Sequence, residues 1–133
     1  MPNCFYRISA KALSINDKGE ILVCIEKNGK VDLPGGGIEP GESPIQALKR
    51  EVNEEMGVEV QVLEENPSYF LTCRLYFESL KKECNFANVI YKTRFNDLNI
   101  TKSDECQKAV YLSISKLKKM DCNSNLKELL TKL

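Results

Sequence analysis

LPGGGIEPGESPIQALKREVNEEMGV, residues Leu33 to Val58, carries the clearest local-structure signal in the chain and its densest chemistry. Ser43 reads as a helix N-cap, Pro44 suits the first helical position, Gln46 completes a capping box three residues after Ser43, and Gly57 follows as a stop. The segment therefore predicts a helix over Ser43–Met56. Ile45, Leu48 and Val52 recur at three- and four-residue spacing and form its buried stripe, while Glu51, Glu54 and Glu55 are expected together on another, exposed face. Like charges at that spacing repel by roughly a few tenths of a kcal/mol per pair unless something neutralises them. Carboxylates with a backbone carbonyl and waters are a ligand set for Mg²⁺ or Mn²⁺, ions that usually sit between protein and substrate phosphates. The preceding Gly35, Gly36 and Gly37 let backbone groups approach such a ligand without side-chain obstruction.

Outward from this helix the sequence reads as β structure. Upstream, Cys4–Ile15, Ile21–Glu26 and Val31–Leu33 are short apolar runs separated by Asn16-Asp17-Lys18-Gly19 and Asn28-Gly29, the pattern of a hairpin or meander. Downstream, Val58–Val62 alternates, and Tyr69–Phe77 and Cys84–Phe95 are β-branched and aromatic, with Lys81-Lys82-Glu83 as the turn of a second hairpin. A last helix is predicted over Asn125–Lys132, with Leu126, Leu129, Leu130 and Leu133 on its apolar side. The order β, helix, β, helix gives an α/β class with a mixed sheet and helices packed on it.

Composition narrows the chemistry. The 133 residues suit one domain, and nineteen Lys+Arg balance nineteen Asp+Glu, so no global field draws the protein to nucleic acid or an acidic membrane. No stretch free of charge exceeds the eight residues Asn66–Cys73, which excludes a membrane-spanning helix, and Arg7 and Lys11 interrupt any secretory signal; a cytoplasmic location is expected. With no histidine, Ser-His-Asp, Cys-His and His-zinc chemistry are excluded. The six cysteines, Cys4, Cys24, Cys73, Cys84, Cys106 and Cys122, form no C-x-x-C pair and are expected to be buried free thiols.

Glutamates on a helix are ordinarily a solvated face, but the spacing of the whole segment is specific: Gly36, five residues, Glu42, seven residues, Arg50-Glu51-Val52, one residue, Glu54-Glu55, one residue, Gly57-Val58. A chance match at these nine positions is on the order of one in ten million. The segment resembles the Nudix box of the Nudix hydrolase (MutT-type) superfamily without a substitution. The resemblance implies a single Nudix α/β/α sandwich over residues 1–133. The implied enzyme is a pyrophosphohydrolase that uses water and Mg²⁺ or Mn²⁺ to cleave a nucleoside diphosphate linked to another moiety. By similarity Glu54 and Glu55 would be principal metal ligands, Glu51 a further ligand or the base, and a carbonyl of Gly35 or Gly36, with Gly36 preferred, a backbone ligand. Arg50 would orient the carboxylates, and Glu42 would be a structural partner. Family members often add a carboxylate six residues before a Trp of a late strand. Here Glu105 stands six before Tyr111, with Asp104 the alternate.

The implied partner is a small-molecule nucleotide, with no membrane and no nucleic-acid polymer; the family also admits a homodimer. A short chain without an N-terminal extension points to a nucleoside triphosphate. Tyr76, eighteen residues past the box, keeps a dinucleoside polyphosphate open, while Pro67 lies too close to the box for the ADP-ribose pattern. Phe5, Tyr6, Tyr69, Phe70 and Phe77 are candidates for stacking on a base. A catalytically idle binding domain is the competing class, against which the intact Arg50, Glu51, Glu54 and Glu55 stand.

Overall fold

A computed structural model describes residues 5–133; Cys4, where the first strand was expected to begin, lies outside the described residues. The elements run β1 (Tyr6–Leu13), β2 (Ile21–Ile25), β3 (Val31–Asp32), β4 (Gly35–Gly37), α1 (Pro44–Met56), β5 (Gln61–Val62), β6 (Tyr69–Phe77), β7 (Lys82–Arg94), β8 (Lys108–Leu112), α2 (Ile114–Leu117) and α3 (Ser124–Leu130). The long β7 is the spine of a mixed sheet. β1 runs parallel to it from Tyr6 opposite Asn85 to Leu13 opposite Lys92, and β6 returns antiparallel on its other edge. β4 joins the free edge of β1, pairing Gly36 with Ala10 and Gly35 with Lys11. A second, antiparallel sheet has the order β3-β2-β8.

Side-chain alternation on β2 divides the interior in two. Ile21 and Val23 join Leu13, Ile90 and Leu117 beneath Leu126, Leu129 and Leu130 of α3, whereas Leu22 and Cys24 join Ala10, Ala12 and Tyr91 beneath Leu48, Val52 and Met56 of α1. Sheet faces covered by helices on both sides give the expected α/β/α arrangement. Each fully buried Leu, Val or Met of α1 contributes about 1.5–3 kcal/mol relative to exposure, so α1 is held by apolar contacts and not by its acids. Its capping box forms as expected: Gln46 N–H donates to Ser43 Oγ at 3.2 Å, and Ser43 N–H donates to Gln46 Oε1 at 2.9 Å. Gly57 closes the helix in the left-handed conformation.

Several expectations are corrected. β1 and β2 are not paired strands and do not form a meander: past the end of β1 the chain meets β2 at the Ile15–Ile21 bridge and through Leu22 N–H, which donates to the Ser14 carbonyl at 2.9 Å, while β1 itself is taken up by β4 and β7. The Gly35–Gly37 stretch is a strand, held by backbone pairing that β propensity does not report. The second hairpin turns at Glu78–Lys81, with Lys81 at a φ of 51°, and β8 begins at Lys108, ahead of Tyr111. The last helix starts at Ser124 and ends at Leu130, leaving Leu133 exposed beyond it. The single turn α2 went unanticipated. Cys24 and Cys106 are not free thiols: they form a disulfide across a sequence separation of 82, with Cα atoms 5.0 Å apart under α1. No local spacing announces such a pair. Cys73, Cys84 and Cys122 are free.

Candidate active site

Burial separates the acids that the helix pattern grouped. Glu55 follows the apolar side of α1 inward and is only 6% exposed, Glu51 is half-buried at the helix edge, and Glu54 points to solvent. The expectation of one exposed acidic face is therefore wrong for Glu55. The residue stands three positions after Val52 and directly before Met56, both fully buried, so its face is mostly the core face. Glu105 arrives from the opposite side of the cavity. It occupies the tip of a tight turn in which the backbones of Ser103 and Cys106 exchange hydrogen bonds at 3.1 and 3.2 Å. Ser103 Oγ donates to the Glu55 carbonyl at 2.7 Å, and the Cys106 disulfide fastens the far end of the turn to β2. One carboxylate oxygen from each of Glu51, Glu55 and Glu105 lies within 4.8 Å of the others. Asp104, the alternate, turns away toward Lys27 Nζ at 3.8 Å.

Electrostatics at this cluster are strained in a way a divalent cation relieves. Burial, with Glu105 and Glu51 adding to it, pushes the Glu55 carboxyl up to about 8 despite the opposing pull of Lys11 and a hydrogen bond from Gly35 N–H at 3.1 Å. Three hard oxygen donors converging on one cavity suit Mg²⁺ or Mn²⁺.

Arg50 organises the outer side. Its Nε and Nη2 hold Glu42 at 2.7 and 2.9 Å, Nη2 also reaches the Gly37 carbonyl at 3.0 Å, and Nη1 donates to Glu51 at 3.0 Å and Glu54 at 3.2 Å. One planar guanidinium thus fixes three rotamers and ties α1 to the glycine strand. Hydrogen bonds from Arg50 and from Glu39 N–H hold the Glu42 carboxyl down to about 2, so Glu42 is a permanently charged strut. At Gly36 an added Cβ would stand 2.5 Å from Glu51 Oε2; the missing side chain is the space that carboxylate occupies.

Residues that the sequence reading passed over complete the site. Lys11, buried on β1, donates from Nζ to the Gly35 carbonyl at 2.9 Å, to Asp32 Oδ2 at 3.2 Å and to the Leu33 carbonyl at 3.4 Å. Burial works against its ammonium, but Asp32 and then Glu55 outweigh it and hold its pKa above the usual lysine value. The Gly35 carbonyl thus faces the interior of the site, while Gly36 stands opposite Ala10 in the ladder. Lys11 and Asp32 line two adjoining cavities. The acidic one, of about 390 Å³, holds Glu51, Glu55, Glu105 and the exposed cation Arg7. The other, of about 480 Å³, lies between β6, β7 and α3 and is lined by Phe77, Phe86, Asn88 and Asn123. Of the aromatic candidates Phe77 faces this cavity, its ring 5.5 Å from that of Phe86; Tyr69 packs on the α3 core, and Phe5, Tyr6 and Phe70 are exposed and outside the cavity lining. Only a lysine flanked by the buried Ala10, Ala12 and Leu13 hinted at Lys11, and nothing local pointed to Phe86 or Asn123.

Known proteins resemble both the sequence and the fold. Over 118 residues, 82% of this chain and 84% of the relative, it is 25% identical to the nucleoside triphosphatase NudI of Enterobacter sp. (strain 638). Over a stretch of the same length it is 28% identical to the nucleoside triphosphatase NudI of Escherichia coli O81 (strain ED1a), again covering 82% of this chain and 84% of the relative. The crystal structure of a MutT protein from Methanosarcina mazei Go1 superimposes with a TM-score of 0.77 at 24% identity, covering 99% of this chain and 95% of that one. The NUDIX domain model matches residues 5–133, the stretch that carries the box and the α/β/α frame: the chain belongs to the NUDIX domain family and is a pyrophosphohydrolase.

Proposed function

We propose that the protein hydrolyses nucleoside triphosphates to the monophosphate and pyrophosphate, with Mg²⁺ or Mn²⁺ at Glu51, Glu54, Glu55 and a carbonyl of Gly35 or Gly36. The observation that carries this reading is the pair of adjoining cavities joined at Lys11 and Asp32, one acidic and one aromatic and amide-lined. A polyphosphate with its cation fits the first and a nucleoside the second; the NudI relatives favour the triphosphate.

When bound, the cation supplies charge neutralisation of the phosphate oxygens and a more acidic water. The chain's own residues do the rest. Arg7, exposed at the rim, attracts the polyphosphate. Arg50 holds Glu51 and Glu54 in one geometry, and Lys11 holds the Gly35 peptide against Glu55. Water adds to phosphorus, the bridging P–O bond breaks with its electron pair leaving on the departing phosphate, and a carboxylate takes the water proton. Glu105, mounted on a rigid turn and the most exposed of the three clustered acids, is the base in this reading.

The test of the reaction is a nucleotide panel with products separated by ion exchange. Monophosphate and pyrophosphate from triphosphates are expected; inert triphosphates beside rapid turnover of diadenosine polyphosphate or ADP-ribose would replace this reading. For the base, Glu105→Gln is expected to lower kcat about a hundredfold with KM nearly unchanged, since a positioned base acts in the transition state. Asp104→Asn, on the Lys27 side of the turn, should be silent. Wild-type turnover in Glu105→Gln would move the base into the box, to Glu51.

A further inference from the structure

The ammonium of Lys11 has no donor to spare. Its Nζ carries three protons and meets three acceptors, the Gly35 carbonyl at 2.9 Å, Asp32 Oδ2 at 3.2 Å and the Leu33 carbonyl at 3.4 Å, on a residue only 7% exposed. A lysine so engaged offers nothing to a substrate phosphate, although it lines both cavities where they adjoin. Its shortest bond is to an atom that a divalent cation also seeks. Gly35 N–H donates to Glu55 Oε1 at 3.1 Å, so the carboxylate and the ammonium are held on the two polar groups of one residue. The backbone enforces this orientation: Gly35 has a φ of 120°, and an added Cβ would stand 2.2 Å from the Ala10 carbonyl oxygen. Asp32, and then Glu55, are the carboxylates that attract the ammonium. The metal-free cavity thus already contains a cation, supplied by β1. Carbonyl and carboxylate oxygens are equally the donor set of Mg²⁺ or Mn²⁺. An ammonium and a divalent ion cannot both face one carbonyl at contact distance, because the two charges repel.

We infer that Lys11 is a placeholder cation: it occupies the Gly35 carbonyl until a divalent ion takes that oxygen, and the donor so released binds substrate phosphate where the two cavities meet. Before the ion arrives, the hold of Lys11 keeps the Gly35 carbonyl aimed into the site. Once displaced, the ammonium stays beside Asp32, its ion-pair partner, and so remains at the junction. One freed N–H is then available to a phosphate that bridges the cavities. The exchange links two binding events, since a polyphosphate gains its lysine partner only after the metal centre is loaded.

The inference rests on the proposed metal centre at Glu51 and Glu55, and binding of the ion alone tests it apart from the reaction. Heteronuclear NMR of protein labelled with ¹⁵N-lysine reads the exchange directly. With all three protons on protein acceptors, Lys11 should give a slowly exchanging Nζ–H signal in the metal-free protein, absent from Lys11→Met, and Mg²⁺ should shift that signal or erase it through exchange with water. In spin-resonance titrations with Mn²⁺ alone, Lys11→Met should bind the ion about tenfold more tightly than wild type, while Lys11→Arg, which keeps the charge, should stay near wild type. The double variant Lys11→Met with Asp32→Asn leaves no unpaired charge and serves where the single variant fails to fold. Its cavity keeps the wild-type net charge, so tighter Mn²⁺ binding there reports the freed Gly35 carbonyl itself. At saturating Mn²⁺ the KM for a nucleoside triphosphate should rise about tenfold in Lys11→Met, the loss of one hydrogen bond to a charged group. A residue that only supported the fold would not pair that loss with tighter metal binding. An unmoved Nζ signal at saturating Mg²⁺, or equal Mn²⁺ affinity in wild type and Lys11→Met, would overturn the placeholder and leave the reaction standing. Tighter metal binding in Lys11→Met with triphosphates inert would keep the placeholder and remove the reaction. Absence of Mn²⁺ binding in every variant would remove both.

Discussion

Chelation of divalent ions abolishes turnover while the far-UV circular dichroism stays unchanged; this is the largest effect expected for the protein. The fold survives because α1 is anchored by Leu48, Val52 and Met56, all fully buried, and its capping box owes nothing to an ion. Activity does not, because Glu51, Glu55 and Glu105 with oxygens inside 4.8 Å of one another would face a polyanion without compensation. Adding Mg²⁺ or Mn²⁺ should raise the melting temperature, since the ion binds the folded cluster and not the unfolded chain. The ion must also displace the proton that Glu55 holds up to about pH 8. Apparent metal affinity should therefore rise with pH through that value, with proton uptake by the buffer visible in calorimetry. Full activity in chelator, or affinity independent of pH, would sink this account.

Glu55→Gln and Glu51→Gln should each reduce kcat by about two to three orders of magnitude, the cost of losing a principal charge-stabilising group. Glu54→Gln should cost less and Glu42→Gln least. The resemblance weights Glu54 and Glu55 alike, but Glu54 is exposed and shares Nη1 of Arg50 with Glu51, whereas Glu55 is buried beneath the cavity and bonded to Gly35 N–H. Stability should move the other way. In the unfolded chain the Glu55 carboxyl ionises near its ordinary value of 4.5, and in the metal-free fold near 8. Between those values the fold binds more protons than the unfolded chain, so metal-free stability falls as pH rises across the window. Glutamine does not titrate, so Glu55→Gln should melt above wild type at pH 8 without metal and lose that advantage toward pH 4.5. With saturating Mg²⁺ the order should reverse. Equal turnover losses in Glu55→Gln and Glu42→Gln would refute this ordering of the acids.

The helix and its caps were legible in the sequence because they are local: a 3.6-residue period, a capping box and a C-terminal glycine act within a few residues of one another. The box was legible for a related reason. Arg50 meets Glu54 one helical turn away and reaches Glu42 eight residues back, so residue spacing already encodes those contacts.

What the sequence by itself could not settle is whatever depends on how β1 is used. The Asn16–Gly19 turn signal is real, and its single bridge forms, but pairing with β7 across about eighty residues decides the sheet. That pairing brings Lys11 beside Gly35, Asp32 and Glu55. It also turns Glu55 from an apparent surface acid into a buried one. The Cys24–Cys106 disulfide and the approach of Glu105 to Glu51 and Glu55 arise in the same way, from strands β2 and β8 that pair across the second sheet. Helix periodicity ranks faces only by the side chains they carry. Which face is desolvated, and which carboxylates share one small volume, is decided by the layer packed above it.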